Sequence, residues 1–218
     1  MPLTSDCMSL TGNSGWDNIV RERIRSVYLY LGTGLVTSVG AAAAVFRSPQ
    51  LLSLVSRTSI AAVLISMGAI IASSAMVQML PYSEGLGAKQ MAFLAHTSLI
   101  GAILAPLAFA GGPLLVRAAV YTAGIVGGLS TIAACAPSEK FLTWGAPLGI
   151  GLGVVFAANI GALFLPPTSA IGAGLAAVVV YGGLVLFSGL LLYDTQKIIR
   201  KAETHPVNGI VPFDPVNA

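Results

Sequence analysis

Six apolar runs, each about 20 residues long and almost free of charge, constrain this chain more than any other feature. They fall at about 26–46, 59–80, 91–109, 113–135, 142–165 and 169–193. A helix needs about 20 residues to cross the hydrocarbon of a bilayer. Within that hydrocarbon every backbone N–H and C=O must find a partner inside the protein, which leaves only helices and closed barrels. Barrel strands alternate apolar and polar residues, whereas these runs are apolar throughout. The expected fold is therefore all-α, a polytopic membrane helical bundle. Composition agrees where it can decide: 9% of the residues are charged, against about a quarter in a soluble domain. Such a chain cannot clothe itself in charge, so the lipid bilayer is its first partner.

Breakers punctuate the short links between the runs. Pro49 sits in the first link and Pro81 closes the second run; Gly111-Gly112-Pro113 and Pro166-Pro167 mark two hairpins. Pro106 and Pro147 fall inside expected helices, where neighbouring helices can satisfy the freed carbonyls. Three regions result: a polar tail at 1–20, a transmembrane domain at 21–205 and a closing loop at 206–218. The tail lacks the apolar core of a signal peptide. It also carries Asp6 and Asp17 ahead of its first arginine, unlike a mitochondrial presequence. Residues 195–205 can prolong the sixth helix beyond the headgroups, with Lys197, Arg200 and Lys201 at its C-terminal end. Asp214-Pro215 reads as the N-cap and first position of a further helix, a seventh that this chain does not contain.

Six spans set the orientation. Arg21, Arg23, Arg25, Lys89, Lys140, Lys197, Arg200 and Lys201 fall on one side; Arg47, Arg57 and Arg117 fall on the other. The excess of cations places the N-terminus on the cytoplasmic or matrix side.

Several function classes are excluded. No basic stretch is interleaved with aromatics, so nucleic acid is not an expected partner. Cys7 and Cys135 form no metal motif or disulfide framework and read as free thiols. Gly12-Asn13-Ser14-Gly15 matches a serine-protease signature but lies in the polar tail, away from any membrane histidine. Tyr193-Asp194 supplies one carboxylate where aspartyl-protease chemistry needs two. The chain is expected not to be an enzyme and to need no cofactor. The glycine clusters Gly124, Gly127, Gly128 and Gly149, Gly151, Gly153 follow no strand; they read as packing faces rather than phosphate loops.

Ionisable groups at membrane depth are costly and mark candidate sites. Asp194 ends the sixth run and can hold a proton or, transiently, a cation; its bland alternative is pairing with Lys197 three residues on. Two residues are accessory candidates. Arg117 stands one turn into the fourth helix, where its stem can snorkel to the interface. His96 lies within the third, where a hydrogen bond to a neighbouring helix is the bland reading.

Longer stretches carry a resemblance. RAAVYTAGIVGGLSTIAACAPSEKFLTWGAPLGIGLG (117–153), FLPPT (164–168), YGGLVLFSGLLLYDTQKIIRKAE (181–203), RERIRSVYLYL (21–31) and FDPVN (213–217) resemble the transmembrane Bax inhibitor motif family, in particular its mitochondrial branch. The resemblance implies a bundle of Bax-inhibitor type in which six helices surround a seventh, central one. It implies the mitochondrial inner membrane with the N-terminus in the matrix, and pH-dependent calcium/proton exchange or calcium leak. Roles in cristae organisation and apoptosis follow from it, with inner-membrane proteins and cytochrome c as partners. The family device is a pair of aspartates, one near the end of the sixth helix and one in the seventh; Asp194 in LLYDTQK matches the first. The alternative is a non-transporting membrane organiser that acts through protein–protein contacts on its Gly/Ala faces.

Overall fold

The computed structural model describes residues 18–56, 59–83, 85, 87–135, 140–166, 168–206 and 212–218. Cys7, the Gly12–Gly15 signature, Arg57 and Pro167 lie outside the described residues. Those described are helical or irregular, with no strand among them. Six helical stretches are long and apolar enough to span a membrane. They are α1 (Asn18–Arg47), α3 (Ile60–Met79), α4 (Ala88–Leu104) with its 3₁₀ continuation Ala105–Ala110, and α5 (Gly112–Cys135). The fifth is α6 (Gly145–Phe164), entered through a 3₁₀ turn at Leu142–Trp144. The sixth runs from α7 (Ala170–Ala177) through a π-helical turn, Val178–Gly182, into α8 (Gly183–Thr204). The chain is thus an all-α, polytopic membrane protein, as the apolar runs require.

The differences from the expected bounds have local causes. The first helix begins at Asn18 rather than near residue 26, because charge on Arg21–Arg25 bars those residues from hydrocarbon but not from helix. The first link holds a short helix, α2 (Pro49–Val55), with Pro49 at its first position, where a missing N–H costs nothing. Pro106 does not kink an α-helix; the chain has already tightened to 3₁₀ at Ala105. Pro147 stands in the first turn of α6, where an α-helix has no acceptor for the N–H. The last helix does extend past the apolar run, to Thr204.

Two compact units make up the described chain: residues 18–119 with 204–218, and residues 120–203. In the first, α1 packs along α4, and α4 along α3. The α1–α4 seam depends on small residues. A Cβ on Gly101 would stand 2.0 Å from the Ser38 carbonyl oxygen, and one on Gly34 would stand 3.0 Å from the Phe93 ring. Polar groups close the same seam: Ser38 Oγ donates to the Thr97 carbonyl (2.8 Å) and the Thr37 and Thr97 hydroxyls meet at 3.0 Å. Tyr30 against Phe93 and Phe46 against Phe109 add edge-on aromatic contacts. In the second unit, α6 lies against α7 and the π-turn, and a Cβ on Gly189 or Gly151 would press on Leu148 or Leu186 at 2.8 Å. The Gln196 amide caps two loose ends, accepting from the Phe141 N–H (2.7 Å) and donating to the Ala133 carbonyl near the end of α5 (3.4 Å).

No more than 22% of any span's apolar window is buried, so most apolar side chains face outward, where only lipid can solvate them. Cys135 is disulfide-bonded, against the expectation of a free thiol. The glycine faces are mixed: Gly151 packs on Leu186, but a Cβ on Gly124, Gly127, Gly128, Gly149 or Gly153 would meet nothing within 4 Å.

Gly101→Val should lower stability by about 1–3 kcal/mol, the usual penalty of overpacking, or break the α1–α4 seam outright. Gly124→Val, on an open face, should not. Thermal unfolding in detergent compares the two; equal behaviour would refute the close approach at Ser38.

Candidate functional site

Polar groups with the most to satisfy gather where α3 ends and α4 begins. Leu80 stops α3 in an extended conformation, and Gly87 opens α4. The Gln90 side chain fixes the link by accepting from the Gly87 N–H (3.0 Å) and donating to the Ser83 carbonyl (2.6 Å). Lys89 stands in the first turn of α4, where the helix dipole disfavours a cation. It is nevertheless 1% exposed. Two acceptors account for that. Its ammonium donates to the Leu80 carbonyl (3.1 Å), at the negative end of α3, and forms a direct ion pair with the Asp214 carboxylate.

Asp214 arrives from the far end of the sequence. One carboxylate oxygen takes the Lys89 ammonium; the other accepts from the Val216 N–H (3.0 Å) and the Asn217 N–H (3.3 Å). With Pro215 next in line, these are the two bonds an N-cap aspartate makes, but residues 215–218 are bend and irregular backbone rather than helix. The Asn217 amide donates to the Gln78 carbonyl, one of the carbonyls α3 leaves without an intrahelical partner. Arg23 of α1 holds the preceding residues, donating to the carbonyls of His205 (2.8 Å) and Pro206 (3.3 Å) with its guanidinium 5.5 Å from the Phe213 ring centre. Below this clamp, Tyr30, Gly34, Phe93, His96, Pro215 and Val216 line an apolar cavity of about 390 Å³.

The three residues singled out from the sequence are placed separately. His96 is half-buried, its Nδ1 2.8 Å from Ser73 Oγ on α3, the bland arrangement expected of it. Arg117 is exposed on the second turn of α5. Asp194, in the other unit, is also exposed and forms no hydrogen bond or ion pair with a described residue. The expected alternative, an Asp194–Lys197 pair, is not made: the Lys197 ammonium lies 5.9 Å from the Tyr193 ring centre instead. Thr195 and Gln196 are buried, and Tyr193 packs 3.1 Å from where a Gly145 Cβ would be, so the helix turns Asp194 outward. Among the described residues no three His, Cys, Asp or Glu side chains converge to hold a metal ion.

Sequence reasoning counted Lys89 as a loop cation and Asp214 as a cap, and missed that the two form one site. A lysine in the first turn of a helix was the available signal, because such a position demands a compensating anion.

Residues 20–218 match the family described as inhibitor of apoptosis-promoting Bax1. The chain belongs to that family. It is also 50% identical, over 203 residues, to the growth hormone-inducible transmembrane protein of Rattus norvegicus. The match covers 93% of this chain and 59% of that relative, so the chain spans under two thirds of the relative's length. No solved structure matches it. In this Bax inhibitor family member the matched region takes in the Lys89–Asp214 pair as well as Asp194.

A buried pair of this kind is costly to break from one side, because the remaining charge is stranded. Lys89→Met and Asp214→Ala should each lower stability by about 3–5 kcal/mol. Lys89→Met with Asp214→Ser, which keeps a capping oxygen and removes both charges, should recover most of the loss. Thermal unfolding of the three variants in detergent checks this; single losses below about 1 kcal/mol would mean that the pair is solvated.

Proposed function

We propose that this Bax inhibitor family protein handles cations across the mitochondrial inner membrane, as a pH-dependent calcium/proton exchanger or calcium leak, with the N-terminus in the matrix. Cristae organisation and apoptosis are the cellular processes it would serve. Asp194 carries the reading: an exposed carboxylate at the end of an apolar helix, with no cation of its own among the described residues. Such a group can take a proton from one side and exchange it for a hard cation, because carboxylate oxygens suit both. His96 and Arg117 would be accessory, and calcium would be cargo rather than a resident cofactor.

Asp194→Asn keeps the size of the side chain and removes its charge. It should abolish pH-dependent calcium flux into liposomes while leaving the unfolding temperature unchanged, since Asp194 has no partner among the described residues to lose. Undiminished flux would remove Asp194 from the mechanism.

A second reading, a non-transporting organiser, is favoured by one observation: Gly149 and Gly153 lie on an exposed face of α6, with nothing within 4 Å of where a Cβ would stand. Open small-residue faces suit close approach of a helix from another protein. Leucine at both positions should then dissolve complexes on native gels and spare calcium flux. Intact complexes would dismiss the organiser.

A further inference from the structure

Asp214 accepts from two backbone N–H groups, is paired and is 23% exposed on its side chain, whereas Lys89 opposite is 1% exposed. The carboxylate can therefore be approached from outside, and the ammonium cannot. Removing the lysine in thought leaves an anionic oxygen beside the Leu80 carbonyl, at the negative end of a 20-residue helix. Carboxylate and carbonyl oxygens are the ligands of hard cations, and the exposed side admits the waters that complete such a shell. The ammonium occupies what would otherwise be a cation's place.

We infer that Asp214 and the Leu80 carbonyl form a divalent-cation site held closed by Lys89, whose ammonium is a tethered competitor that an incoming cation displaces. The two Asp214 backbone donors, on Val216 and Asn217, keep the carboxylate oriented in either state. Arg23 is engaged with the carbonyls of His205 and Pro206, and the ion pair of Asp214 is made with Lys89. A closed site of this design binds only as strongly as the cation outcompetes an ammonium at full effective concentration. It should respond to high calcium and stay shut at low calcium.

The inference deepens the cation-handling reading but names a different carboxylate, so the two can fail separately. The test uses the full chain in detergent micelles, treated with an amine-reactive label and read by mass spectrometry at each lysine. Lys89 should label slowly without calcium. Millimolar calcium chloride should raise its rate severalfold, a chelator should reverse the effect, and Lys140 and Lys197 should not change. A Lys89 rate indifferent to calcium overturns the proposal. So does an equal rise with sodium chloride, which would mean that ionic strength opens the pair.

Binding itself is read on Lys89→Met, where calcium should restore the lost unfolding temperature. Lys89→Met with Asp214→Ser should show no calcium response; if it responds equally, the cation binds elsewhere and the site is refuted. Should Lys89→Met fail to fold, the labelling result on the unaltered chain decides alone. Asp194→Asn should leave the Lys89 response intact: flux lost with that response preserved supports both readings, and flux unaffected with that response preserved leaves only this one standing.

Discussion

Hydrocarbon offers no hydrogen bonds, and that single deficit organises the described structure. Backbone groups meet it by forming helices; side-chain hydroxyls meet it by turning back on the same helix. Ser66, Thr131 and Ser188 each donate to the carbonyl four residues earlier, at 2.8–2.9 Å, so these three side chains present no unpaired O–H to lipid. Other hydroxyls reach across to another helix, as Ser38 finds Thr97 and Ser73 finds His96. Among the described residues no buried side-chain polar atom lacks a partner. Glycine then decides which helices can come close enough to share such bonds. Gly101 admits the Ser38 backbone itself, and the hydroxyl bonds follow from that proximity.

The same deficit explains where the ionised groups lie. A helix that ends near a membrane surface leaves carbonyls without partners on one side and N–H groups on the other. At the end of α3 the surplus is negative, and it is met by Lys89 and by the Asn217 amide. At the end of α8, Arg23 meets the carbonyls of His205 and Pro206. Lys89 and Asp214 are therefore less an isolated salt bridge than the point where two helix ends and a returning segment balance their charges.

Most of the fold was legible in the sequence because hydropathy is a local property. The six spans, the long last helix and the two backbone bonds to Asp214 each follow from residues near one another in the chain. What escaped was non-local or backbone-specific. The Lys89–Asp214 pair joins residues 125 apart, and no periodicity links them. The π-turn at Val178–Gly182 lies among three valines, a tyrosine and a glycine that read simply as apolar; Val155 comes within 3.9 and 4.0 Å of where Cβ atoms on Gly182 and Gly183 would stand. His96 shows the opposite case: its hydrogen bond to Ser73 was expected, because a lone imidazole within a span has few alternatives to a hydroxyl on the next helix. Asp194 was found by its position at the end of an apolar run, but its surroundings were not, since Lys197 prefers the Tyr193 ring to the carboxylate three residues away.

The two carboxylates occupy contrasting electrostatic situations, and the contrast bears on any ion-handling role. Asp214 has a cation in direct contact and two backbone donors, so its negative charge is already balanced and a visiting ion must displace something. Asp194 has none of these among the described residues, which leaves solvent, lipid headgroups or a visiting ion to balance its charge. A group that is to exchange ions repeatedly cannot be bound too well by its own protein, because every internal partner adds to the barrier for loading. By that criterion, in the roles proposed for them, Asp194 would suit rapid exchange and Asp214 a threshold: one would load whenever an ion arrives, the other only when ions are plentiful enough to dislodge a lysine.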